Sequence, residues 1–259
     1  MANQKQNNSN TPVLIIVGVV IVGLIAAWWF YSNSNPTPNT NRAIATNINA
    51  KPTGTPADAP PGAKPPNMSG SEAALVTVEE FADYQCPTCA STHPIMNQIK
   101  SIYGSRIKFI FRSFPLAIPA HDKAYDAAVA AEAAGMQGKF WEMQNMLFTN
   151  QQSWTADPGY KQTWNEYAQK LGIDVAKFQS DMAGMGAKSR VDEDLKRGRA
   201  LNVNSTPTIF VNGISLEPKD FNVNSMKVII DSELAKASSA AQSPAKAPEA
   251  NATSANSSK

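Results

Sequence analysis

The chain has 259 residues, 42% of them hydrophobic, with 23 basic and 21 acidic side chains. That length holds one ordinary domain with room for tails, and the near-balanced charge leaves no strong field to attract nucleic acid. The two cysteines sit three positions apart, and a bridge over so small a loop adds little stability, so a disulfide-stapled scaffold is disfavoured.

Residues 1–11 are polar with Lys5 as the one charge, and read as a short cytoplasmic N-terminus. Residues 12–31 carry no charged side chain, and about 20 apolar residues are what a helix needs to cross a bilayer. Trp28, Trp29, Phe30 and Tyr31 close the run as aromatic side chains do at a membrane interface. The apolar part of a cleaved signal peptide is only ~7–15 residues, so an uncleaved single-pass anchor is expected. Residues 32–70, rich in Asn, Pro, Thr, Gly and Ala, bury too little to offset ordering entropy and are expected to be a flexible linker. As a coil that linker spans roughly 35 Å. Residues 238–259 read as a disordered tail, which leaves 71–237 as the folded domain.

Within that domain Leu75–Phe81 is a strand candidate, followed by a helix from Cys86 to Tyr103 with Ile95, Met96, Ile99 and Ile102 at helical spacing. Ile107–Phe111 is short and apolar, as a buried strand is. A helical block follows over about 121–201, with segments at Asp122–Ala134 (stopped by Gly135), Lys139–Thr149, Lys161–Leu171, Val175–Met182 (capped by Asp174) and Ala187–Leu201. Thr208–Val211 and Ile214–Leu216 flank Asn212-Gly213, a strong hairpin signal. Ser225–Ala235 closes the domain as an amphipathic helix with Val228, Ile229 and Leu234 inward. The order is strand, helix, strand, helical insertion, hairpin, helix, an α/β class.

The chemistry lies in Cys86-Pro87-Thr88-Cys89. Only a thiolate attacks a disulfide, and an ordinary cysteine is mostly protonated near neutral pH. A Cys at a helix start faces unpaired N–H groups and the positive end of the macrodipole, which favour the anion. Pro87 then falls in the first turn, where its missing donor is harmless, and the Thr88 and Cys89 backbones supply the donors. Cys86 is therefore the expected nucleophile and Cys89, one turn in, the resolving thiol. Half a zinc site is the competing reading of the pair, but no second CxxC or paired histidines complete it. No metal and no cofactor is expected.

Glu80-Phe81-x-Asp83-Tyr84-x-Cys86-Pro87-x-Cys89 resembles the active-site segment of the DsbA-like branch of the thioredoxin superfamily. Downstream, Ser205-Thr206-Pro207-Thr208-Ile209-Phe210-Val211-Asn212-Gly213 is similar to that family's cis-proline loop and following strand. Between them, the stretch from Ala130 to Trp141 resembles the family's helical insertion. The resemblance covers about 71–237 and implies a thioredoxin-like fold with a helical insertion, here preceded by one transmembrane helix and a flexible linker.

It also implies roles. Pro207 is expected to be cis beside the cysteines, with Thr206 before it contacting the substrate backbone. Glu80 matches a buried acid beneath the disulfide that takes or gives the proton of the resolving thiol, with Glu79 as its exposed neighbour. Pro94 matches a proline that kinks the first helix. His93, four residues after Cys89 on the same helix face, either tunes the thiolate or packs under the motif, and packing is favoured. His121 is expected at the start of the insertion. Met136, Met143 and Met146 read as core fillers, or otherwise as groove residues, and Lys188, Arg190, Lys196, Arg197 and Arg199 as a solvated helix face.

The expected activity is a dithiol oxidase that passes disulfides to reduced extracytoplasmic proteins bearing free thiols. The resemblance implies a membrane reoxidase, DsbB-like or VKOR-like, as a partner. The domain is expected to be monomeric and to face the periplasm or the cell exterior from the inner or cytoplasmic membrane. Disulfide reductase or isomerase activity, or a membrane-tethered metallochaperone using the same cysteines, are the alternatives.

Overall fold

The computed structural model describes residues 58–242. The expected N-terminus (1–11), anchor (12–31), most of the linker and the tail beyond 242 lie outside the described residues. Among the described residues, no helix is long and apolar enough to cross a membrane.

Five strands form one sheet: β1 (Asn67–Gly70), β2 (Val76–Ala82), β3 (Ile107–Ser113), β4 (Thr208–Val211) and β5 (Ile214–Ser215), in the order β1-β3-β2-β4-β5. The pair β2–β3 is parallel, with Glu80 opposite Phe111; the other pairs are antiparallel, and β4 places Ile209 opposite Glu80 on the other side. Central β2 is almost wholly buried, and its two adjacent carboxylates, Glu79 and Glu80, are buried with it. The parallel β2–β3 connection is made by helix α1 (Pro87–Tyr103).

Six helices form the insertion: α2 (Ala124–Gly135), α3 (Phe140–Thr149), α4 (Gln151–Ala156), α5 (Tyr160–Lys170), α6 (Val175–Ala183) and α7 (Met185–Ala200). In α2 the alanines at 127, 128, 130, 131, 133 and 134 are all fully buried, and their small side chains let neighbouring helices pack closely. Trp154 and Trp164 meet edge to face at 5.3 Å and fill the insertion's own core. Asp174 caps α6 by accepting from the Lys177 N–H at 2.9 Å. Helix α7 lies against the sheet at Gly198, where a Cβ would stand 2.5 Å from the Phe114 ring.

Helix α8 (Val223–Gln242) closes the domain. It turns Met226 and Ile230 inward and packs Ile229 and Leu234 against the core as expected, but leaves Val228 71% exposed, which corrects that one residue of the expected inward set: the i, i+4 pair faces the sheet and Val228 falls on the far side. Leu75, placed in the first strand by sequence, is likewise exposed and precedes β2. Met136 is exposed as well, whereas Met143 is core and Met146 packs against it.

Both domain boundaries move outward. The tail expected from 238 is helical to Gln242. The linker expected to reach residue 70 is folded onto the domain from residue 58, because charged side chains capture its main chain. Arg112 donates to the Pro61 carbonyl at 2.8 Å and the Ala63 carbonyl at 3.2 Å, Arg197 to the Pro60 carbonyl at 2.9 Å, and Arg190 to the Pro65 carbonyl at 2.9 Å. Asp194 accepts from the Ala63 N–H at 2.9 Å. Gly62 sits at φ +74° between these groups, where a Cβ would stand 2.6 Å from Arg112. A proline-rich composition cannot bury apolar surface, but its carbonyls are good acceptors for a buried guanidinium. The solvated face read on α7 is corrected by the same contacts, since Asp194 is fully buried and Arg190 and Arg197 are mostly so.

Candidate active site

Strand β2 ends at Ala82, and Asp83-Tyr84-Gln85 carry the chain to Cys86, the residue that caps α1. Cys86 keeps an extended backbone, its carbonyl accepts the first helical bond from Ala90 at 3.1 Å, and Pro87 occupies the first turn. The Thr206–Pro207 bond is cis, and the Cys86 thiol donates to the Thr206 carbonyl at 3.3 Å. The structure thus brings together the pair and the distant proline loop, 120 residues apart.

The two cysteines are free thiols in opposite environments. The Cys86 thiol is lowered to about 5, chiefly because the Cys89 thiol hydrogen-bonds its anion. The Thr206 hydroxyl and the Cys89 and Thr88 backbone N–H groups add to this, and together they outweigh the opposing cost of burial. The Thr206 hydroxyl is buried and has no oxygen or nitrogen hydrogen-bond partner among the described residues. Cys89 is fully buried, and burial together with the neighbouring Cys86 pushes its thiol well above the ordinary range.

Glu80 lies on β2 and is 3% exposed. Burial pushes its carboxyl up to about 7, and the positive charge of Lys100 on α1 restrains that rise. Lys100 in turn sits 4.4 Å over the Trp141 ring and 5.2 Å over Phe109. Glu79, expected to be exposed, is buried on the opposite sheet face, because α7 covers that face and Arg112 of β3 and Arg197 of α7 pair with its carboxylate.

His93 is buried against the Phe148 ring at 4.9 Å, with Nε2 3.1 Å from Asn145 Oδ1 and 3.0 Å from Asn97 Nδ2. Its hydrogen bonds run to these amides and not to a sulfur, and burial lowers its pKa. His121 ends a short 3-10 turn and places Nδ1 2.7 Å from the buried Asp83 carboxyl. Pro94 lies inside α1, which continues through it.

Three side chains that the sequence reading passed over suture the motif loop to the insertion. Asp83 accepts from the Leu116 N–H at 2.8 Å and from the Gln85 N–H at 2.7 Å. Gln85 accepts from the Lys123 N–H and donates to Asp122 at 3.2 Å. Gln151 donates to the Tyr84 carbonyl at 2.7 Å and to the Cys86 carbonyl at 2.9 Å. Asp83 and Gln85 could have been suspected from their place beside the cysteines, whereas nothing local marks Gln151. A groove of about 340 Å³ opens beside the pair, lined by Pro87, Ala90 and Ser91 on one side and Phe148 to Ser153 on the other.

A family model described as thioredoxin matches residues 63–232. Among curated proteins, the chain is 38% identical over 145 residues to the Na(+)/H(+) antiporter NhaA 1 of Mycolicibacterium vanbaalenii, covering 55% of this chain and 22% of that protein. It is 36% identical over 149 residues to NhaA 1 of Mycolicibacterium gilvum, covering 57% and 23%. The chain therefore spans less than a quarter of the length of these curated relatives. Among solved structures, oxidised BdbD from Bacillus subtilis superposes with a TM-score of 0.55 at 25% identity, covering 69% of this chain and 99% of that one. Alpha-DsbA1 from Wolbachia pipientis gives a TM-score of 0.57 at 18% identity, covering 69% and 96%, a likeness of fold.

Proposed function

The chain belongs to the thioredoxin family and carries the DsbA-type form of its fold, and on that footing we propose that it is a thiol–disulfide oxidoreductase that oxidises reduced proteins through Cys86 and Cys89. The observation that carries the reading is the asymmetry of the pair. One sulfur is lowered to about 5 at a helix start while its neighbour is buried and pushed the other way.

In the oxidised enzyme a substrate thiolate attacks the Cys86 sulfur, the Cys86–Cys89 bond breaks, and Cys89 leaves with the electron pair. Glu80, protonated for part of its time near neutral pH, supplies the proton that the buried Cys89 anion needs. A second substrate thiolate then attacks the substrate sulfur of the mixed disulfide. Cys86 departs as the thiolate it holds easily, and the substrate gains a disulfide while the enzyme becomes a dithiol. The Thr206 backbone and Pro207 border the incoming chain, and the groove beside Pro87 has room for polypeptide flanking the target cysteine. Pro87 and Thr88 shape the helix start, and His93 supports it by packing.

The enzyme must then be reoxidised. A membrane reoxidase of the DsbB-like or VKOR-like class fits a domain tethered by an anchor at residues 12–31 and facing the periplasm or the cell exterior. The antiporter name belongs to the longer relatives and concerns proteins of which this chain matches only a part.

The test is a pair of variants. Cys86→Ser abolishes exchange with reduced insulin or a thiol peptide, whereas Cys89→Ser accumulates mixed disulfides visible on non-reducing gels. A Cys86→Ser protein that still exchanges overturns the assignment, and an equilibrium titration against glutathione fixes the direction.

A further inference from the structure

Gln151 is the first residue of α4, more than sixty positions from the cysteines, and the residue is 7% exposed. Both of its amide protons point at main-chain oxygens of the motif loop, Tyr84 at 2.7 Å and Cys86 at 2.9 Å. Two carbonyl acceptors can be served only by the NH2 end of the amide, so its orientation is set by chemistry. These bonds grip the loop at the Tyr84–Gln85 peptide and at the Cys86 carbonyl. The Cys86 carbonyl is thereby shared between the Ala90 N–H of α1 and a side chain of the insertion.

We propose that Gln151 is a positioning residue for the exchange reaction, holding the Cys86 backbone so that its sulfur stays over the start of α1 and against Thr206. The inference rests on the reading of Cys86 as the attacking sulfur. Its physical content is simple. The donors that favour the Cys86 anion are the Cys89 thiol, the Thr206 hydroxyl and two backbone N–H groups, each effective only over hydrogen-bond distance. The loop that aims the sulfur at them has Asp83 and Gln85 behind it, but at the Cys86 residue itself the insertion reaches the main chain through Gln151. Removing the amide also strips a buried carbonyl, that of Tyr84, of this donor.

Gln151→Met keeps the volume and removes both donors, and Gln151→Glu keeps the shape and turns an acceptor toward two carbonyls. The readout is the ultraviolet absorbance of the Cys86 thiolate against pH in the full chain, which a merely structural residue would not move. Its midpoint rises by about one pH unit in either variant, so that near pH 4 the thiolate fraction falls about tenfold. A variant that melts like the wild type and keeps its midpoint overturns the proposal. In the wild-type protein, where no variant need fold, the side-chain amide NMR signals of Gln151 move with the same midpoint as Cys86 ionises. Signals that stay fixed across that midpoint overturn it too. A wild-type Cys86 titrating like an ordinary thiol fails the reading beneath the inference, which separates the two failures.

Discussion

Glu79 and Glu80 are joined by one peptide bond yet meet opposite surroundings, because successive side chains of a strand point to opposite faces. Burial alone would raise Glu79, but the hydrogen bond from Arg197 and the charges of Arg112 and Arg197 hold it below the usual carboxylate range. Glu80 has only the more distant Lys100 and rises to about 7. In the unfolded chain Glu80 ionises near 4.5, so between there and about 7 the folded state binds one more proton, and stability falls as pH rises. Glu80→Gln removes that loss: near pH 8 the variant is more stable in urea by about 3 kcal/mol, and near pH 4 the two proteins match. The same variant exchanges more slowly and loses the inflection near 7 in its pH profile, whereas an unchanged profile would place Glu80 outside the proton path. The cysteine pair was legible from its local spacing, and the burial of Glu80 from the family resemblance of the segment that carries it. Glu79 was not, since the arginine that most strongly offsets its burial arrives from 118 residues away.

At the level of the elements, the helical insertion contributes to both faces of the site. Through Asp83, Gln85 and Gln151 it holds the loop ahead of α1, and through α7 it supplies Asp194 and Arg197 to the far side of the sheet. Arg112 on β3 ties this second cluster together, bridging Glu79 at 2.8 Å and Asp194 at 2.9 Å while holding the main chain of residues 61–63. Arg112→Met leaves a buried carboxylate without its partner and costs about 3–5 kcal/mol in urea denaturation. Asp194, without Arg112, keeps its proton to higher pH, so the variant regains stability as pH is lowered; a deficit independent of pH would show that the network is not electrostatic. Most helix positions were readable from periodicity, but the short α4 was not. The buried role of Arg190 and Arg197 was not, because a charged stretch on a helix looks the same in sequence whether it faces water or a ring of carbonyls.

For the whole molecule, the lowered Cys86 thiol links folding to redox state. The reduced protein gains stability from the thiolate above the ordinary thiol range and loses that gain as pH falls through about 5. The disulfide form has no such group, and Glu80 contributes to both forms. Reduced protein therefore unfolds at higher urea than oxidised protein at neutral pH, and the gap narrows toward pH 5. Equal midpoints at every pH would mean the pair has no oxidising bias. The order of elements from β2 onward was clear from the chain, but β1, inside the expected linker, and the domain's extent were not: residues 58–66 join it chiefly through main-chain carbonyls, which every sequence has alike.

The sheet's outer strands, β1 and β5, are only four and two residues long. Under the proposed function the clients would be unfinished polypeptides rich in unpaired amides, the material from which fibrils grow. Cross-chain stacking needs an extended bare margin to copy, and here there is almost none. Such clients would have little to zip onto, so the proposed activity would not draw the domain into their deposits.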